Sequence, residues 1–127
     1  MANEITVSTN VNCIKGLDRT PFSPASQQFT QTGTDINEYT LTVTDAGYTA
    51  LSKANITLLG LCVIHNLSST AADIIYVSFD NGVTNHLELP PKAWTVLWLK
   101  SDYDITTLKI IAATGKTVLV KVRVYEQ

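Results

Sequence analysis

His65 and His86 are the only imidazoles in the chain, so they are the natural starting points for general-base or metal chemistry. His65 ends an apolar run and His86 follows a turn signal. Neither has companions at ligand spacing, so no metal site is expected. A Ser/His/Asp nucleophilic set would have to be gathered from distant residues, and Ser and Asp are too common for their presence to argue for one. Asp102 and Asp104 flank Tyr103, but two carboxylates one residue apart are too few to cage calcium. Asp73 and Asp80, like these two, stand at strand ends and turns, where Asp serves backbone hydrogen bonding. Gly115-Lys116-Thr117 has the ending of a phosphate loop without the upstream glycine, and reads as a hairpin turn. Cys13 and Cys62 lie far apart with nothing ligand-like around them. They read as small buried hydrophobes, with a disulfide between them left open. The Asn55-Ile56-Thr57 and Asn66-Leu67-Ser68 triplets read as chance matches to the glycosylation pattern. No catalytic residue, metal or cofactor is expected, and the chain reads as a non-enzyme.

The large side chains are more informative. Period two puts Trp94, Val96 and Trp98 on one face of a run that is apolar on both sides, 93–100. Such a strip can be core, a partner surface, or a platform on which sugar rings stack. Residues 12–26 are interrupted by Gly16, Pro21 and Pro24 and read as a long loop or arm. Its Ile14, Leu17 and Phe22 must pack on their own domain or on a neighbour. Ile14, Leu17, Phe22, Trp94 and Trp98 are therefore the candidate partner-interface residues.

The positioning elements are strands. The stretch 55–82 holds two apolar runs, 57–65 and 73–79, closed by Asp80-Asn81-Gly82, where positive φ angles suit a tight hairpin and an immediate third strand. Gly60, inside the first run, marks a bulge or a close backbone approach. Further strands are expected at 4–9, 27–32, 38–44, 85–89, 93–100, 105–112 and 117–125. In 38–44, Tyr39, Leu41 and Val43 oppose a row of threonines. In the last strand Val118, Val120, Val122 and Val124 face in, and Lys121 and Arg123 face water. Residues 45–53 are the one candidate helix, capped by Thr44 or Asp45 and weakened by Gly47, with a simple turn as the alternative. Nine strands with turns between them predict an all-β antiparallel β-sandwich, jelly-roll-like.

Composition sets the outer limits. With 127 residues, 45% hydrophobic and 16% charged, the chain is expected to form one folded domain spanning 1–127 with the arm at 12–26. A net charge of −2 with scattered Lys and Arg gives no footprint for nucleic acid. The opening Met-Ala-Asn-Glu carries no secretory signal pattern, and no apolar stretch is long enough for a membrane span.

Four segments, MANEITVS, GLCVIHNLSSTAADIIYVSFDNG, HLELPPKAWTVLWLK and LKIIAATGKTVLVKVRVYEQ, together resemble small structural proteins of tailed-bacteriophage virions. The shared pattern is a core strand ending in Asn66-Leu67, the strand 75–80, a Leu/Pro loop with a Leu-rich strand over 89–99, and an alternating Val-rich end. It is a pattern of hydrophobic positions that carries over no functional site. The resemblance implies an all-β head decoration (cement), head-completion or tail-associated subunit. Such a subunit would be assembled in multiple copies, in virions formed in the host cytoplasm, and apolar surface left over on the arm and the Trp94/Trp98 face would make it a homo-oligomer, as a trimer or ring. Its partners would be itself and other virion proteins such as the major capsid protein, with no nucleic acid and no membrane. The other reading is a non-catalytic carbohydrate-binding β-sandwich for host-surface glycans, built on Trp94 and Trp98.

Overall fold

The computed structural model describes residues 5–11, 23–31 and 33–127, which fall into two compact units, Met1–Thr32 and Gly33–Gln127. In the first, β1 (Ile5–Val7) pairs antiparallel with β2 (Gln27–Phe29), Ile5 lying opposite Phe29 and Val7 opposite Gln27. The hydroxyls of Ser8 and Ser26 meet at 2.7 Å just beyond the pair. Ile14, Leu17, Phe22 and Cys13 lie outside the described residues.

The second unit contains β3 (Ile36–Thr44), β4 (Thr49–Ala50), β5 (Leu59–Asn66), β6 (Ile75–Ser78), β7 (Leu87–Leu89), β8 (Trp94–Trp98), β9 (Lys109–Ala112) and β10 (Thr117–Glu126). They form two antiparallel four-stranded sheets, ordered β3-β10-β5-β8 and β4-β9-β6-β7. The pairs β3/β10, β4/β9, β5/β8 and β6/β7 are those of one long hairpin with its tip between β6 and β7. Rolling that hairpin brings β10 against β5 and β9 against β6, which is the jelly-roll topology. The expected all-β antiparallel sandwich is the observed one.

Strand periodicity explains the core. Val118, Val120, Val122 and Val124 of β10 are buried with Val43, Ile64, Ile75, Val77 and Ile110, while Thr40 and Thr42 of β3 are exposed. β-branched side chains suit the pleated, covered faces on which they stand. Cys62 is a free thiol in this core, and burial pushes its pKa up to about 12. Between Val124/Cys62 and Glu126/Leu59 the β10/β5 register gains a residue on β5, a bulge at Gly60 and Leu61. A Cβ on Gly60 would stand 3.2 Å from the Tyr125 carbonyl oxygen, which accounts for the glycine.

Asn66 joins three segments at the end of β5. Its side-chain amide donates to the carbonyls of Asp73 (2.7 Å) and Leu89 (3.0 Å), and its oxygen accepts from the Ser68 N–H (3.0 Å). Fully buried and fully bonded, it is a structural clasp rather than a glycan acceptor.

Three expectations need correction. Residues 45–53 take the turn alternative and form no helix. Thr44 Oγ1 instead accepts from the Ala46 N–H and Asp45 Oδ2 from the Gly115 N–H (2.6 Å), so the would-be caps close turns, and β4 follows. Residues 105–112 are not one strand. Asp104 caps a 3-10 turn over Ile105–Thr107 by accepting from the Thr106 N–H, and β9 begins at Lys109. Asn81 and Gly82 do take positive φ, 64° and 85°, but no strand returns at once. Asp80 Oδ1 accepts from the N–H groups of Val83 (3.1 Å) and Thr84 (2.8 Å), winding 79–86 into a wider tip before β7.

Candidate interaction surface

Ser78, Asp80 and His86 come together at this tip, and their order is not that of a nucleophilic triad. Ser78 Oγ bonds Asp80 Oδ1 at 2.6 Å and accepts from the Gly82 N–H at 3.0 Å. His86 Nδ1 accepts from the Phe79 N–H at 3.2 Å, and its Nε2 lies 3.9 Å from Asp80 Oδ2. The carboxylate stands between hydroxyl and imidazole, so the buried Ser78 bonds Asp80 and not His86. The Ser78 hydroxyl and then the Thr84 N–H hold the Asp80 carboxyl well below its usual range. Asp102 pairs with Lys100 (2.9 Å), and Asp104 Oδ1 is taken by Thr106. No group of three or more metal-ligating side chains occurs among the described residues.

The outer face of the β3-β10-β5-β8 sheet is different in kind. Register aligns Thr40, Lys121, His65 and Trp94 in one cross-strand row, and Glu38, Arg123, Val63 and Val96 in the next. Tyr125 lies opposite Ile36, and Trp98 opposite Leu61. Trp94 is 54% and Trp98 50% exposed, so the strip 94/96/98 stands on the outer face rather than in the core. Four residues of strand put the Cα atoms of the two tryptophans about 13 Å apart. Ile36 and Leu119 are exposed on the same sheet. Among the described residues, every exposed large hydrophobic within a strand of this unit belongs to this sheet.

Between the apolar ends lies a depression of about 280 Å³ lined by Glu38, Val63, His65, Lys121, Arg123 and Tyr125. Lys121 Nζ is 3.0 Å from Glu38 Oε1, Arg123 Nε and Nη2 bind Glu38 Oε2, and Arg123 Nη1 donates to the Tyr125 hydroxyl at 3.0 Å. The Arg123 guanidinium also lies over the Tyr125 ring, 5.7 Å from its centre. Lys121 and then Arg123 lower the Glu38 pKa, while bonds to Tyr125 and Glu38 raise that of Arg123.

Of the five sequence-derived interface residues, Trp94 and Trp98 therefore share one exposed face. Ile14, Leu17 and Phe22 are outside the described residues. The charged cluster on the same face as Trp94 and Trp98 has no sequence signal, since Glu38 and Arg123 are 85 residues apart and only the β3/β10 register unites them. No protein-family model matches the chain, and no curated protein matches it in sequence.

Proposed function

We propose that the chain is a non-enzymatic structural subunit of a tailed-bacteriophage virion, a capsid decoration (cement) or head-associated protein acting through protein–protein contacts. The observation that supports this most is the concentration of exposed Ile36, Trp94, Trp98 and Leu119 on one face of one sheet. Trp and other large apolar groups at the centre of a patch are the side chains that anchor protein interfaces. The four segments that resemble virion proteins give the reading its biological setting, and the jelly roll is an architecture shared by viral capsid and lectin domains. On this reading the subunit works as a homo-oligomer, trimer or ring, with the 12–26 arm as a second contact to its own copies or to the major capsid protein.

The same two indoles favour a second reading, a non-catalytic carbohydrate-binding module on which pyranose faces stack. One experiment separates them. Purified chain is weighed in solution by light scattering, sedimented with tailed-phage heads, and applied to a glycan array. The virion reading predicts a mass that is a multiple of 13.9 kDa and recovery with the heads. It also predicts that deleting residues 12–26 weakens both. A strictly monomeric chain that ignores heads and binds glycans through Trp94 and Trp98 would overturn it.

A further inference from the structure

Resting on the reading of this face as a contact with other proteins, we infer that the depression among Glu38, Val63, His65, Lys121, Arg123 and Tyr125 seats a carboxylate. That carboxylate belongs to an acidic, apolar-flanked segment of a partner protein. Charge complementarity carries the assignment. The chain as a whole is negative, at −2. Yet in the depression the formal charges of Lys121, Arg123 and Glu38 sum to +2 − 1 = +1. The other acid in these strands, Glu126, is turned to the backbone N–H groups of Asp35 and Thr57 and leaves this balance unaltered.

Donor chemistry agrees with the charge. An ammonium has three N–H donors and a guanidinium five. The bonds described here use one on Lys121, to Glu38, and three on Arg123, two to Glu38 and one to Tyr125. Among the described residues two donors on each side chain therefore remain, enough for both oxygens of one carboxylate. A phosphate dianion would place twice that charge beside Glu38, so the single excess positive charge suits a monoanion better. Val63 supplies an apolar lining, and the row through His65 leads directly to the exposed Trp94. The group that fits is an Asp, Glu or chain-terminal carboxylate with apolar neighbours.

The probes are capped eight-residue peptides of alternating Leu and Glu, with the Leu/Gln peptide as the neutral control and polygalacturonate as an anionic glycan. Binding is followed through the NMR resonances of the Arg123 Nε–H and the Trp94 indole N–H. The Leu/Glu peptide is expected to shift both saturably and the Leu/Gln peptide to shift neither. Lys121→Gln with Arg123→Gln should weaken binding at least tenfold, and Glu38→Gln, which leaves both cations in place, should tighten it. Equal binding of the two peptides, a preference for polygalacturonate, or indifference to all three substitutions would overturn the inference. Sedimentation with heads keeps the two proposals apart. If the Lys121/Arg123 double variant is recovered with heads as fully as the parent chain, the carboxylate seat fails and the virion reading stands. If the parent chain binds the Leu/Glu peptide but not heads, the virion reading fails and the seat stands.

Discussion

The larger sheet presents Ile36, Trp94, Trp98 and Leu119 to solvent around a Glu38/Lys121/Arg123 cluster, whereas the smaller sheet has Glu88 exposed beside half-buried Tyr76 and Ile111. Both sheets bury the same kind of inner face, with Val120 and Val122 on one and Ile75 and Ile110 on the other. What separates them is length. β3 and β10 run for nine and ten residues, against two for β4 and three for β7. A long strand with one face committed to the core has a second face of equal extent to spend on something else. On the proposed function, stability and binding would occupy alternate residues of the same strands, and substitutions should separate the two.

The largest loss of stability is expected on the inner side. Ile64→Ala removes a fully buried side chain from the middle of β5 and should cost about 3 kcal/mol in chemical denaturation. A loss below about 1 kcal/mol would mean that the inner face is not the main source of stability. Next comes the Asn66 clasp. Asn66→Ala leaves the carbonyls of Asp73 and Leu89 without their amide partner and should cost about 2–3 kcal/mol, although no apolar contact is targeted. A near-neutral result would show that water replaces the amide.

These positions also show what the sequence discloses. Period two in 117–125 and 38–44 read directly as half-buried strands, because alternate Val, Leu and Tyr admit only one inward face. Gly60 was legible as a bulge for the same steric reason. The run 93–100 disclosed its phase but not its direction, since it is apolar on both sides and only the partner sheet determines which side is covered. Residues 45–53 misled because Thr44 and Asp45 are as good at closing turns as at capping helices. The signal for the 3-10 turn was present in Asp104 followed by Thr106, a local cap inside an otherwise β-prone segment. The Glu38, His65, Lys121 and Arg123 cluster could not be read at all without the register of three strands, which is a long-range property.

A smaller effect is expected at the jelly-roll tip, where pH is the probe. The folded Asp80 carboxyl sits below its ordinary value of 3.8, so the unfolded chain takes up the proton first. Its contribution is complete above the ordinary Asp range and fades as pH falls through and below it. Asp80→Asn should therefore flatten the acid limb of stability between about pH 4 and pH 2. An acid limb identical to that of the parent chain would remove Asp80 from the account.

The smallest change in stability belongs to the outer face, which the proposed function makes the binding face. Trp94→Ala with Trp98→Ala should leave the unfolding free energy within about 1 kcal/mol of the parent, as exposed positions do. Denaturation and recovery with phage heads are to be measured on the same preparation of this double variant. Near-parental stability together with at least a tenfold loss of recovery is expected. Collapse of the fold, or full recovery with the heads at parental stability, would contradict this expectation.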